Sequence, residues 1–137
     1  MALGKDKNMD KQELYQIAFS IINHKKLRLF GTAGHVACAL ETRNGNIFTG
    51  ICIDLPCSIG LCAEQSAIAE MIKNGETEIG KIIAVFEDGT ILPPCGRCRE
   101  FIAQIDDQNI KTQIIMPELK EALLQDLLPE RWDNKWN

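Results

Sequence analysis

Two short stretches concentrate the side chains that could do chemistry. "PPCGRCRE", from Pro93 to Glu100, holds Cys95 and Cys98 three positions apart among prolines and arginines. "CAE", Cys62 to Glu64, opens the run "CAEQSAIAEM", which carries a helical period. Both cysteine groups fall at expected helix starts, where unpaired N–H groups and the positive dipole end stabilise a thiolate. Three such thiolates make a soft ligand set suited to zinc. A closed structural site needs a fourth protein ligand, and His35, Cys52 and Cys57 are the residues that could supply it. A catalytic site leaves that vertex to water. A redox C-x-x-C is the remaining reading, but here the pair follows a Pro-Pro turn without the thioredoxin context. Glu64 alone is an ordinary solvated residue favoured by the helix dipole. With a three-ligand metal it becomes a group that could take a proton from water.

The elements that must position these residues are legible as periodicity. Met9 to Leu27 reads as an amphipathic helix with Leu14, Ile17, Ala18, Ile21 and Ile22 on one face. "HVACALET" and "NIFTGICID" are β-rich runs joined by "RNGN", and Asn44-Gly45 signals a hairpin because both residues tolerate positive φ. Ala63, Ala67, Ile68 and Met71 form a helical stripe ending near Gly75. "GKIIAVFEDG" is a strand covered on both faces, a short helix starts around Cys95, "KTQIIM" is another buried strand, and "PELKEALLQDLL" reads as a helix. The predicted order is α-β-β-α-β-α-β-α, with a polar tail carrying Trp132 and Trp136. One α/β domain spanning residues 1–137 is expected, with residues 1–8 outside the folded part as a disordered or added leader. Its natural layering is three-layer α/β/α around a central mixed sheet of about five strands.

Composition narrows the function classes. The chain has 137 residues, 45% hydrophobic, 25% charged, with a net charge of -4. That balance fits one core and disfavours a nucleic-acid partner, which calls for a basic face. No apolar run is long enough for a membrane helix, and "MALGKDKNMDKQ" lacks the apolar stretch of a secretory signal, so a cytoplasmic setting is expected. In that setting six clustered cysteines point to metal or catalysis rather than to disulfides.

On "CAE" at Cys62–Glu64 and "PCGRCRE" at Pro94–Glu100, the sequence resembles the zinc-dependent cytidine deaminases and their relatives, which include blasticidin S deaminase. Weaker similarity runs from the NG hairpin to "LLP" at Leu127–Pro129. The resemblance implies a cytidine deaminase-like fold, zinc on Cys62, Cys95 and Cys98, and Glu64 as proton shuttle. Hydroxide on the zinc would attack the amine-bearing ring carbon of a free (deoxy)cytidine-like nucleoside. Three thiolates on a dication leave a net charge of -1, so something must draw electron density from sulfur. Family members often place an arginine after C-A-E, where this chain has Gln65; Arg99 is the expected donor to a cysteinate, and Arg97 a weaker one.

The resemblance also implies substrate contacts from the backbones of Ala63 and Pro94. The usual Asn-x-Glu for the ribose is replaced by Cys52 and Asp54, and Gly34 stands where an aromatic residue is common. Blasticidin S, another aminated heterocycle, or a silent zinc-stabilised nucleoside-binding module are therefore the alternatives. Trp132, with Trp136 as second candidate, is expected either over an active site or packed on its own domain. A homotetramer, or a dimer, acting in pyrimidine salvage completes what the family implies.

Overall fold

In the computed structural model, which describes residues 10–133, helix α1 (Lys11–Ser20) comes first. Asp10 caps it by accepting the backbone N–H of Glu13 at 2.8 Å, and Leu14 and Ala18, one turn apart, are fully buried. The helix is shorter than the predicted Met9–Leu27, and Met9 itself lies outside the described residues. It stops because the sheet takes the next backbone groups. The N–H of Asn23 donates to Gly34 O at 3.0 Å, and Lys25–Lys26 pairs with Ala33 and Thr32 as the short strand β1. Gly34 permits that approach: its φ is +81°, and a Cβ there would stand 2.2 Å from Asn23 O.

Strands β2 (Thr32–Thr42) and β3 (Ile47–Asp54) form the expected antiparallel hairpin. In its turn only Gly45 takes a positive φ, at 86°, and its N–H closes the bend onto Thr42 O at 2.9 Å. Asn44 need not leave the ordinary region, and it donates instead to Glu76 at 3.0 Å. Helix α2 (Ala63–Lys73) lies on β3, and Gly50 sets how close: a Cβ there would stand 2.4 Å from Ala67 N and 2.7 Å from Ala63 O. Ala63, Ala67, Ile68 and Met71, the stripe read from the sequence, are all fully buried.

Strand β4 (Ile79–Phe86), helix α3 (Gly96–Ile105) and strand β5 (Gln113–Met116) make a crossover unit, with β4 and β5 parallel. The expected helix "PELKEALLQDLL" is not one helix. Pro117–Leu119 is a tight turn with Glu118 and Leu119 at φ 66° and 59°, followed by strand β6 (Lys120–Leu123) and a single-turn helix α4 (Leu124–Leu127). The reason is tertiary: β5 would otherwise leave a row of unpaired backbone groups at the sheet edge, and β6 returns antiparallel to pair it from Gln113 to Met116. That pairing outweighs the helix preference of Lys-Glu-Ala-Leu.

The six strands run β1-β2-β4-β5-β6 with β3 on β2, a mixed sheet with helices on both faces. Alternation along the strands divides the core. Cys38, Leu40, Ile82 and Ile114 pack with α2 and α3, whereas Ala39, Ile83, Val85 and Ile115 pack with α1.

Asn109, fully buried between β4 and α3, joins the two. Its Oδ1 accepts Ile79 N–H at 2.8 Å, and its Nδ2 donates to Thr77 O at 3.0 Å and Ile102 O at 3.1 Å. Asn109→Leu strands those partners without water. Urea unfolding should show a loss of about 2–4 kcal/mol; a loss under about 0.5 kcal/mol would show that the partners re-pair.

Candidate metal centre and substrate pocket

Cys62 is the N-cap of α2 and Cys95 the N-cap of α3, each with extended φ/ψ, and Cys98 stands in the first turn of α3. The carbonyls of Cys62 and Cys95 accept the first helical N–H groups, of Ser66 at 3.2 Å and Arg99 at 3.0 Å. Both sulfurs are thereby placed at positive helix ends that come together from segments 33 residues apart. The three Sγ atoms lie within 4.8 Å of one another, with Cys62 and Cys95 at 3.9 Å. Sulfurs sharing one tetrahedral zinc at about 2.3 Å each are about 3.8 Å apart, so the donor set fits that ion.

Among the described residues the group stops at three ligands. The residues that could have closed it are engaged elsewhere or exposed. Cys57 is exposed, in the loop after β3, at φ 62°. Cys52 accepts the Val36 N–H at 3.3 Å, and His35 is bound to Asp54 at 3.0 Å.

Without a cation the cluster favours protons. Burial pushes the Cys98 thiol far up, and the Glu64 carboxylate and the Cys62 sulfur add to it. Burial also raises Cys62. Cys95 is the exception: burial pushes it up too, but the Cys98 N–H and the neighbouring thiols outweigh that and lower it. Glu64, buried to 7% exposure, has its carboxyl raised by burial, partly offset by its own backbone N–H and by the Cys98 thiol. A dication inverts this balance by stabilising thiolate in place of thiol.

Two of the three cysteines, Cys62 and Cys95, border a cavity of about 420 Å³, walled also by Glu64, Cys52, Asp54 and His35, a volume suited to a small organic ligand. Ala63 also lines it and is fully buried. At the next position the wall is Pro93, while Pro94 is set behind it, next to Glu64, in a second, very small cavity. Asp54 stands at the end of β3 with its side chain 67% exposed. Trp132 is 61% exposed and is not among the residues walling the cavity; Trp136 lies outside the described residues.

Arg99 departs from expectation. Its Nε donates to Pro94 O at 2.8 Å and its Nη1 to Leu127 O at 3.1 Å, and neither bond reaches a sulfur. The guanidinium thus fastens the loop before Cys95 to the end of α4, its planar fork reaching two backbone carbonyls at once. Arg97 is exposed on the cavity rim. Gln65 is buried, and its Nε2 has no hydrogen-bond partner. His35 is the wall residue that sequence reasoning weighed only as a metal ligand. The signal for its real place is a β-bulge: the β2–β3 register shifts between Ala33 and Ala37, and no residue pattern marks that shift.

Residues 9–114 match the family profile described as "Cytidine and deoxycytidylate deaminase zinc-binding region". A cytidine deaminase of Mycoplasma pneumoniae is 35% identical over 98 residues, 69% of this chain and 71% of that one. A cytidine deaminase of Halalkalibacterium halodurans is 29% identical over 69% of this chain and 74% of its own. A blasticidin-S deaminase of Bacillus cereus is 26% identical over 107 residues, 72% and 76% of the two chains. The crystal structure of cytidine deaminase from Mycobacterium leprae superposes with a TM-score of 0.75 at 23% identity, covering 90% of this chain and 100% of that one, a likeness of fold.

Because Cys62 and Cys98 hold their protons in the metal-free protein, zinc must displace them. Calorimetric titration at pH 7 in buffers of different ionisation enthalpy should report about two to three protons released per zinc, and affinity should fall as pH falls. Release of none would refute a thiolate site. Arg99→Ala frees the loop that carries Cys95, so zinc affinity measured by competition with a chelator should drop about tenfold or more with the secondary structure unchanged. Unaltered affinity would remove Arg99 from the support of the site.

Proposed function

The chain belongs to the cytidine and deoxycytidylate deaminase family of zinc-dependent hydrolytic enzymes, and on that premise we propose that it deaminates a free (deoxy)cytidine-like nucleoside or a close analogue. The observation that carries the reading is the shared wall: Glu64, Cys62 and Cys95 face one nucleoside-sized cavity. Zinc held by Cys62, Cys95 and Cys98 supplies the Lewis acidity that makes water a nucleophile near neutral pH.

Glu64 does the proton work. Its raised carboxyl suits a group that both accepts and donates a proton near neutral pH. It takes a proton from the attacking water and passes it to the ring nitrogen next to the amine-bearing carbon. It then takes the remaining proton from the added hydroxyl and delivers it to the departing amine, so that the water oxygen stays on the ring as the carbonyl and the amine leaves as ammonia. The α2 N-terminus at Ala63 and the Pro93–Pro94 loop orient the base between them, and burial of Glu64 keeps bulk water from competing.

At the far end of the cavity Asp54 accepts a hydroxyl of the substrate, while the Cys52 thiol, already accepting Val36 N–H, serves as wall. That replacement of an amide-bearing wall favours a second substrate class, an analogue of the blasticidin S type. Leu29, Phe30 and Ile59 are 79%, 59% and 70% exposed, and Leu55, which packs against Gly31 beside them, lines the cavity. Exposed apolar side chains of this kind suit contact between copies of this chain in a homotetramer, in which Trp132 would cover a neighbouring site. A net charge of -4 and the absence, among the described residues, of a helix able to cross a membrane fit a small-molecule enzyme of pyrimidine salvage in the cytoplasm, with no polynucleotide partner.

Ammonia release from cytidine, deoxycytidine and blasticidin S by the zinc-loaded protein tests the reading. Glu64→Gln should lower turnover at least about 100-fold and keep its zinc; zinc content with no ammonia from any of the three would leave only a binding module. The same variant has a stability consequence. A carboxyl raised on folding contributes stability that is present at low pH and lost as pH rises through its folded value. In the metal-free protein Glu64→Gln should therefore raise Tm at pH 8 more than at pH 4. An equal shift at both would show that the carboxyl is not raised.

A further inference from the structure

The two histidines of the chain stand together, and His35 lines the cavity beside Asp54 and Cys52. Their rings are 4.9 Å apart at 45°, and each holds a carboxylate: His24 Nδ1 meets Glu87 at 2.7 Å, and His35 Nε2 meets Asp54 at 3.0 Å. Behind His35 lies Cys52, whose Sγ is 3.5 Å from Nδ1 and 3.4 Å from Nε2. Those ring nitrogens flank a single carbon, so an atom equidistant from both in the ring plane would collide with it. The sulfur therefore sits on the face of the imidazole. It does not form a Cys–His nucleophile pair; it acts as a backstop for the ring.

We propose that His35 is a positioning residue that sets substrate selectivity, fixing the Asp54 carboxylate to receive a hydroxyl of the sugar. This rests on the nucleoside reading above and names the residue that makes it work in this chain. Asp54 is short, ends a strand, and is mostly exposed, so alone it would spread over its rotamers into solvent. The His35 side chain is only 16% exposed, clamped between the Cys52 sulfur and the His24 ring. One carboxylate oxygen is held by Nε2–H and the other is left to accept. Val36 N–H is spent on Cys52 and His35 Nε2–H on Asp54, which leaves the Asp54 carboxylate as the acceptor here. The wall therefore takes a group that donates, a hydroxyl, and repels a phosphate. Arg97, the cation on the rim, comes from α3 next to the metal ligands and not from these strand ends.

Uridine and uracil, the expected product and its sugarless base, test this by calorimetry on zinc-loaded protein without needing turnover. His35→Ala should weaken uridine about tenfold and leave uracil unchanged, because a hydroxyl–carboxylate bond is lost. With cytidine KM should rise by the same factor at constant kcat. His35→Gln, whose amide can still donate to Asp54, should recover most of the affinity. In an Asp54→Ala background His35→Ala should add nothing, since the two act as one unit. An unchanged uridine Kd in His35→Ala, additive losses in the double variant, or a wild type that does not prefer uridine to uracil would each overturn the proposal. A wild type that binds uridine with these properties yet releases no ammonia from cytidine would instead sink the deaminase reading and leave the role of His35 standing.

Discussion

Two helix N-termini aimed at one point are the constraint on which the structure depends. Thiolates repel one another, and burial drives two of the three, Cys62 and Cys98, back towards thiols. Only a dication makes their convergence favourable, and only fixed backbone brings them near enough to bind it. The positions that look least chemical supply that fixity. Gly50 lets α2 settle on β3 to within a distance no Cβ would permit, and Asn109 joins the start of β4 to the end of α3. Arg99 fastens the loop ahead of Cys95 to α4. The sheet and its two faces of core exist, from the site's viewpoint, to hold α2 and α3 in register.

The same burial serves the chemistry and opposes the fold. A carboxylate sunk to 7% exposure with no cation beside it is held at an energetic disadvantage, which the metal removes. Proton transfer in both directions needs a group of intermediate acidity, and desolvation is how an ordinary glutamate acquires it. In the proposed mechanism stability and reactivity at Glu64 therefore trade against each other. The Gln65 amide nitrogen, buried without a partner in the next position, shows the same tolerance of local cost near the site.

What the sequence revealed follows a physical division. Local features were legible: the α2 stripe, the hairpin, the buried strand β4 and the two helix starts that carry cysteine all depend on neighbours in sequence. Non-local features were not. Nothing within "PELKEALLQDLL" says that β5 needs an antiparallel partner, so a helical pattern concealed β6. Nothing around Ile21 says that Asn23 will bond to Gly34, so α1 read as longer than it is. Arg99 follows a ligand and was read as its donor, whereas its side chain reaches along the loop to Pro94 O and across to Leu127 O. His35 belonged to the pocket wall because of a bulge whose cause is the pairing of two strands.

The division extends to function. Chemistry sits at helix starts, where a sequence motif and its geometry coincide, since dipole, N-cap and ligand all belong to a few consecutive residues. Selectivity sits where strand ends meet, and there no motif can specify it. Cys52 and Asp54 share a face of β3 because side chains alternate, and the β2 bulge then sets His35 against both. Changing one of these residues alters what the others can do: cysteine in place of an amide removes a donor, and a shorter carboxylate needs a ring to hold it. The wall facing the reactive centre acts as a unit, His35 with Cys52 behind it and Asp54 in front.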